Sequence, residues 1–219
     1  MRILTIVPCY NAERYVGEVI KSTKKFNKNI LVVDDGSTDN SYNILKKIKG
    51  IGIIQHSRNK GKGAALKAGF GYALKNNFDA VITIDADGQH KPEDIPNFLM
   101  NFNDADIILG NRMNNIGNMP LVRILANIIS SYIISRICEQ QINDSQSGYR
   151  LIKKEILKSI DLERDDYHME TELLLKAAKR GYKIGEVPIK AVYGGEGMSH
   201  IKPLLVPFKF ISTIARRGK

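Results

Sequence analysis

The chain opens on a continuous apolar run, residues 3–7, closed by Pro8. Asn11 then stands where a helix cap belongs, and Val16, Val19 and Ile20 make one stripe of a helix running to about Lys25. A second apolar run, residues 30–33, ends in Asp34-Asp35-Gly36-Ser37, and a helix from about Asp39 turns Tyr42, Ile44, Leu45 and Ile48 inward. Residues 51–54 repeat the strand pattern, and Arg58-Asn59-Lys60-Gly61-Lys62-Gly63 opens an alanine-rich helix. Residues 80–84 and 105–109 are further strands, separated by a helix starting near Pro92. Helices are also expected over residues 119–138 and 169–179. Short runs that are apolar throughout belong to strands buried on both faces, and their alternation with helices implies an α/β fold with a doubly wound, mostly parallel sheet. No repeat or linker interrupts residues 1–200, which read as one domain; residues 201–219 read as an appended basic amphipathic segment.

Composition narrows the classes. The 219 residues are 43% hydrophobic and 26% charged, ordinary for a soluble globular protein. The net charge of +10 points to a polyanionic partner, a phosphorylated substrate or an anionic membrane surface. Nucleic acid is not favoured, because no basic stripe is interleaved with stacking aromatics. Cys9 and Cys138 make neither a disulfide framework nor a zinc spacing, and the start of the chain lacks a signal-peptide pattern, so a reducing cytoplasm is expected.

The polar clusters fall just past the expected strand ends, the edge where open α/β sheets bind ligands. Asp85 and Asp87, one residue apart, would leave a strand side by side and repel unless a cation sits between them. With Gln89 in reach the donors are all oxygens, which suits Mg²⁺ or Mn²⁺. Asp35 could accept hydrogen bonds from a ribose or base, and Lys62 with its glycine neighbours could meet phosphate. The loop lacks the ending of an ATPase phosphate loop.

Several motifs, in order, resemble family 2 glycosyltransferases of the GT-A fold: Pro8-Cys9-Tyr10-Asn11-Ala12-Glu13, Val33-Asp34-Asp35-Gly36-Ser37-Thr38-Asp39, Arg58-Asn59-Lys60-Gly61-Lys62-Gly63, Asp85-Ala86-Asp87-Gly88-Gln89-His90, Gly110-Asn111-Arg112 and Asp144-Ser145-Gln146-Ser147-Gly148-Tyr149-Arg150. The chain is most similar to the dolichol-phosphate mannose and glucose synthases, over about residues 2–199. The resemblance implies that Pro8, Tyr10, Glu13 and Asp35 line a nucleotide pocket. Asp85 would face the ribose and the metal, with Asp87 and Gln89 ligating the ion against the donor diphosphate. Arg112 would contact an acceptor phosphate, Arg123 would be a second contact, and Ser147 to Arg150 would form the acceptor side. The segment around Ser199 would close over the donor. The chain departs from many members at Ala12, its acid coming one residue later at Glu13.

The expected activity is metal-dependent, inverting transfer of a hexose from a nucleotide sugar of the GDP-mannose or UDP-glucose type to a polyprenyl phosphate. A transferase acting on a glycan hydroxyl, or a silent nucleotide-sugar-binding protein, are the alternatives. A hydroxyl acceptor needs a general base, for which Glu170 and Glu172 are the carboxylates to try. A phosphate monoester, with a second pKa near ~6, needs a cationic clamp instead. Residues 119–138, interrupted by Arg123, Asn127 and Arg136, read as too short and too polar to span a membrane. Together with the basic residues of 201–219 they suggest a peripheral face on the cytoplasmic side.

Overall fold

The computed structural model describes residues 1–193; Ser199 and the segment 201–219 lie outside the described residues. In chain order the elements are β1 (Ile3–Cys9), α1 (Val16–Thr23), β2 (Ile30–Asp34), α2 (Ser41–Lys46), β3 (Gly52–Gln55), α3 (Lys62–Lys75) and β4 (Ala80–Thr83). After a 3₁₀ turn at Pro92–Asp94 come α4 (Ile95–Met100), β5 (Ile107–Asn111), α5 (Leu121–Cys138), β6 (Arg150–Lys153), α6 (Lys154–Ser159), α7 (Met169–Lys179) and β7 (Ile184–Pro188). The strands form a seven-stranded sheet in the order β3-β2-β1-β4-β6-β5-β7.

The sheet is mostly parallel, as the run pattern requires. Only β6 is antiparallel, wedged between β4 and β5. Both faces are covered. Along β1, Leu4 and Ile6 join one core with α3, α6 and α7, while Ile3, Val7 and Cys9 join the other with α1, α2 and α4. That double burial makes the run continuous instead of alternating.

Several boundaries differ from the sequence reading. Pro8 does not close the first strand; β1 runs through it, paired with Val33. The missing N–H is tolerated because it faces β4, whose pairing with β1 ends at Ile6 and Thr83. Asn11 does not cap α1. It sits at φ 48°, and its Oδ1 accepts from the amides of Thr38 and Asp39 at 2.8 and 3.3 Å, tying two edge loops together. The fifth strand is Ile107–Asn111, not 105–109, so Gly110 and Asn111 lie inside it and only Arg112 lies beyond. Strands β6 and β7 were not anticipated.

Helix α5 corrects another expectation. Among the described residues it is the one helix long and apolar enough, by length and composition, to cross a membrane. Its orientation is unusual: Asn127, Ser130 and Ser131 are on the buried stripe with Ala126, Ile134 and Cys138. Leu121, Val122, Leu125, Ile128, Ile129 and Tyr132 face outward, Leu121 at 76% exposure and Tyr132 at 67%.

Candidate active site

Strand β4 stops at Thr83, so Asp85 and Asp87 are not neighbours on a strand face but members of the turn that follows, bent by Gly88 at φ 76°. They still meet in one cleft. Lys62, the first residue of α3, puts its ammonium 2.7 Å from Asp85 Oδ1 and 3.1 Å from Glu170 Oε2. Burial alone would lower the Lys62 ammonium, but the two carboxylates outweigh it and raise it. Burial works against the charge on Asp85 too, and Lys62 more than offsets it, holding that carboxyl below its usual range. A side chain at Gly148 would put its Cβ 2.5 Å from Asp85 Oδ2 and 2.8 Å from Lys62 Nζ, so the ion pair would have to shift to admit one.

Among the described residues no cation pairs with Asp87 in this way. Burial and then the Asp85 charge push its carboxyl up to about 6, while Gln89 donates its amide to Oδ1 at 2.9 Å. Repulsion between two cleft carboxylates is what a divalent ion relieves, and with the Gln89 side chain the donors are hard oxygens that fit Mg²⁺ or Mn²⁺. Among the described residues no three His, Cys, Asp or Glu side chains converge as a ready cage. Such a partial shell matches an ion that arrives with substrate phosphate oxygens. His90 adds a buried ring whose two nitrogens have no hydrogen-bond partner among the described residues. Its Nδ1 is 3.9 Å from Asp85 Oδ2, too far for a hydrogen bond, and burial lowers it to about 4, so the ring is neutral.

The other end of the cleft is cationic. Arg112, just past β5, grips Asp144 through Nε at 2.7 Å and Nη2 at 2.8 Å. Burial opposes the Arg112 charge, but Asp144 overrides it and raises the guanidinium, while the same pairing lowers the Asp144 carboxyl. Arg123 and Asn127 of α5 line this end, with Ser145, Gln146, Tyr167, His168 and Tyr193 around them. Arg150, at 1% exposure, is a floor rather than a ligand arm. Its Nε, Nη1 and Nη2 donate to the carbonyls of Ser147, Glu170 and Ser145 at 2.7, 2.7 and 2.9 Å.

The structure therefore brings Lys62, Asp85, Asp87, Gln89, Arg112, Arg123, Arg150 and Glu170 to one cleft. Ser147 is fully buried beneath it. Glu172 is turned away: its carboxylate accepts from the amides of Glu163 and Arg164 at 3.0 Å each and pairs with Lys176 at 2.6 Å, which corrects its candidacy as a base. On the neighbouring edge, Asp35 is engaged by His56 Nδ1 at 2.6 Å and the amides of Lys60 and Gly61 at 3.0 and 2.8 Å, shaping the turn into α3. Glu13 accepts from Asn40 N at 2.8 Å, Pro8 is partly buried within β1, and Tyr10 is exposed. Sequence reasoning gave no role to Asp144, Asn127 or His90. The one signal for Asn127 was an amide inside an otherwise apolar helix.

Known proteins resemble this chain over most of its length. The model of glycosyl transferase family 2 matches residues 5–161. A UDP-N-acetylglucosamine–dolichyl-phosphate N-acetylglucosaminyltransferase of Methanococcus voltae is 34% identical, over 94% of this chain and 92% of its own. An undecaprenyl-phosphate mannosyltransferase of Micrococcus luteus is 28% identical, over 88% and 84%. Among solved structures, glucosyl-3-phosphoglycerate synthase of Mycobacterium tuberculosis, in complex with Mn²⁺, UDP-glucose and phosphoglyceric acid, superposes with a TM-score of 0.70 at 18% identity, over 99% of this chain and 77% of that one. The fold is thus the GT-A fold, and the chain belongs to glycosyl transferase family 2.

Proposed function

We propose that this glycosyltransferase moves a sugar from a nucleoside diphosphate to a polyprenyl phosphate, inverting the anomeric configuration. One observation carries the reading: a single cleft has an acidic end at Asp85 and Asp87 and a cationic end at Arg112 and Arg123, and the wall at the cationic end is α5, apolar on its outer side. A divalent ion held by Asp85, Asp87 and Gln89 would supply Lewis-acid stabilisation of the charge that grows on the leaving diphosphate. Lys62 keeps a second positive charge at that end. Arg112 and Arg123 would clamp the acceptor phosphate, whose own charge makes it the nucleophile without a base. Glu170 lies between Lys62 and Arg150, which suits an anion that holds Lys62 in place better than a proton acceptor.

The two relatives carry different sugars in their names but the same acceptor chemistry, a polyprenyl phosphate. That supports the acceptor class and leaves the sugar, hexose or N-acetylhexosamine, to experiment. The reading includes peripheral attachment to the cytoplasmic leaflet. The outward apolar residues of α5, flanked by Arg123 and Arg136, suit an anionic lipid surface.

The test is a donor-by-acceptor screen. Radiolabelled UDP-N-acetylglucosamine, GDP-mannose and UDP-glucose are offered with dolichyl phosphate, undecaprenyl phosphate or a soluble glycan, with Mn²⁺ or Mg²⁺, and the product is partitioned into organic solvent. Label in the organic phase only with a lipid phosphate is expected. Label confined to the glycan would replace the reading with a hydroxyl-directed transferase, and donor binding without transfer would make the chain a silent nucleotide-sugar-binding protein.

A further inference from the structure

Arg112 is held from behind by residues that reach it through α5. Its Nε and Nη2 donate to Asp144, its backbone amide donates to Asp144 Oδ2 at 2.9 Å, and Asp144 is itself completely buried. The second support of that carboxylate is Asn127, whose Nδ2 donates to Oδ1 at 2.8 Å. Asn127 is 1% exposed, and its own Oδ1 accepts from Ser131 Oγ at 3.1 Å. Ser131 Oγ in turn accepts from the amide of Ser145 at 2.9 Å. The polar stripe of α5 is thus spent on the segment that carries Asp144, while Leu121, Val122, Leu125, Ile128 and Ile129 are left outside.

A guanidinium has five N–H donors in a fixed plane. Asp144 takes the edge formed by Nε and Nη2, and the edge formed by Nη1 and Nη2, with Tyr193 beside the guanidinium, makes a second fork matched to two phosphate oxygens. Where that fork points is set by Asp144, whose backbone amide is held by Glu186 and whose carboxylate is steadied by Asn127. We propose that Asp144 and Asn127 are positioning residues that aim Arg112 at the acceptor phosphate, and that neither touches the donor. The inference rests on the phosphate-acceptor reading above. Replacing an amide that bridges two buried groups leaves the Asp144 oxygen short of a donor, so the carboxylate can shift and swing the fork with it. Misplacement of a clamp by about an ångström costs on the order of 10- to 100-fold.

The experiment uses the full chain and the lipid phosphate that the screen returns. Asn127→Ala and Asp144→Asn are compared with Arg112→Ala and with the double variant Arg112→Ala/Asn127→Ala. Asn127→Ser, polar but too short to reach Asp144, guards against a packing defect. The expected result is an acceptor KM raised about 10-fold or more in Asn127→Ala and Asn127→Ser, with donor KM within about 2-fold. Asn127→Ala should add nothing once Arg112 is gone, because it acts through that residue. An unchanged acceptor KM overturns the proposal, as does a loss that multiplies with that of Arg112→Ala. So does a parallel rise in donor and acceptor KM, which marks general loosening. If the unaltered chain accepts only glycan hydroxyls, the phosphate reading itself has failed.

Discussion

The two ends of the cleft solve opposite problems with different architecture. The donor end is made of carboxylates on loops that each follow a parallel strand, and most of them are tied down by nearby backbone amides, as Asp35 is by Lys60 and Gly61. The acceptor end is made of guanidiniums. Arg112 has one buried carboxylate, and Arg150 donates to three carbonyls, its Nε 3.9 Å from the nearest Glu170 oxygen. Burying a charge without a close counterion costs stability, and burial accordingly lowers the Arg150 guanidinium. The donor end is therefore held largely by backbone amides of its loops. The acceptor end gives up stability for position and depends on side-chain contacts, Asn127 with Asp144 and Glu186 with the Asp144 amide.

Breaking the donor end should give the largest effect. Asp87→Asn is expected to lower transfer at least ~100-fold, as is excess EDTA, because a metal-stabilised interaction of several kcal/mol is lost. The same substitution should stabilise the fold. The Asp87 carboxyl is raised to about 6 in the folded chain, so its contribution is most favourable at pH below the unfolded value and is lost as pH rises through about 6. Melting curves should show Asp87→Asn higher by roughly 2–6 °C at pH 8, the gap closing by pH 4. Equal melting temperatures at pH 8 would remove the repulsion from the account.

At the acceptor end, Leu125→Ser with Ile129→Ser should weaken co-sedimentation with anionic vesicles by about 10-fold and leave the melting temperature within a degree or two, since both side chains are already exposed. Undiminished vesicle binding would move the docking face elsewhere. The smallest effect on activity belongs to Glu172→Gln, expected within about 3-fold, although it should melt earlier by a few degrees because two partly buried amides lose a charged acceptor. Its carboxyl is held low: burial opposes the charge, but Lys176 and those amides outweigh it. Its support is thus present above the ordinary glutamate pKa and fades as pH falls through the depressed value. A collapse of activity in Glu172→Gln with the fold intact would restore it as a base.

How far each end was legible follows from the same contrast. Strands β1 to β4 announced themselves as unbroken apolar runs because helices cover both faces, and the edge loops were marked by glycine and aspartate. Strand β6 was not readable: four residues opening on Arg150 carry no strand signature, and only the gap between β4 and β5 selects them. The choice between Glu170 and Glu172 was equally closed to sequence, since positions two apart on a helix face nearly opposite ways and the pattern does not say which way the cleft lies. Helix α5 was read as an apolar segment, but its inside-out arrangement follows from Asp144 and Ser145, which its polar stripe serves. Asn11 and Pro8 were misread because a loop and a neighbouring strand, not their own local preferences, decide their roles.

The wedge of β6 between β4 and β5 also sets a timetable for synthesis. Residues through β4 already hold four strands that pair with one another, so this half of the sheet can form as soon as it leaves the ribosome, with the outer edge of β4 left open for β6. Strand β5 has no such option, because both of its neighbours, β6 and β7, are made later. At ordinary elongation rates that apolar strand waits on the order of seconds before Arg150–Lys153 arrive. A chain arrested in that window would carry a four-stranded sheet, open at β4, beside an unpaired, aggregation-prone strand, the kind of intermediate that chaperones hold.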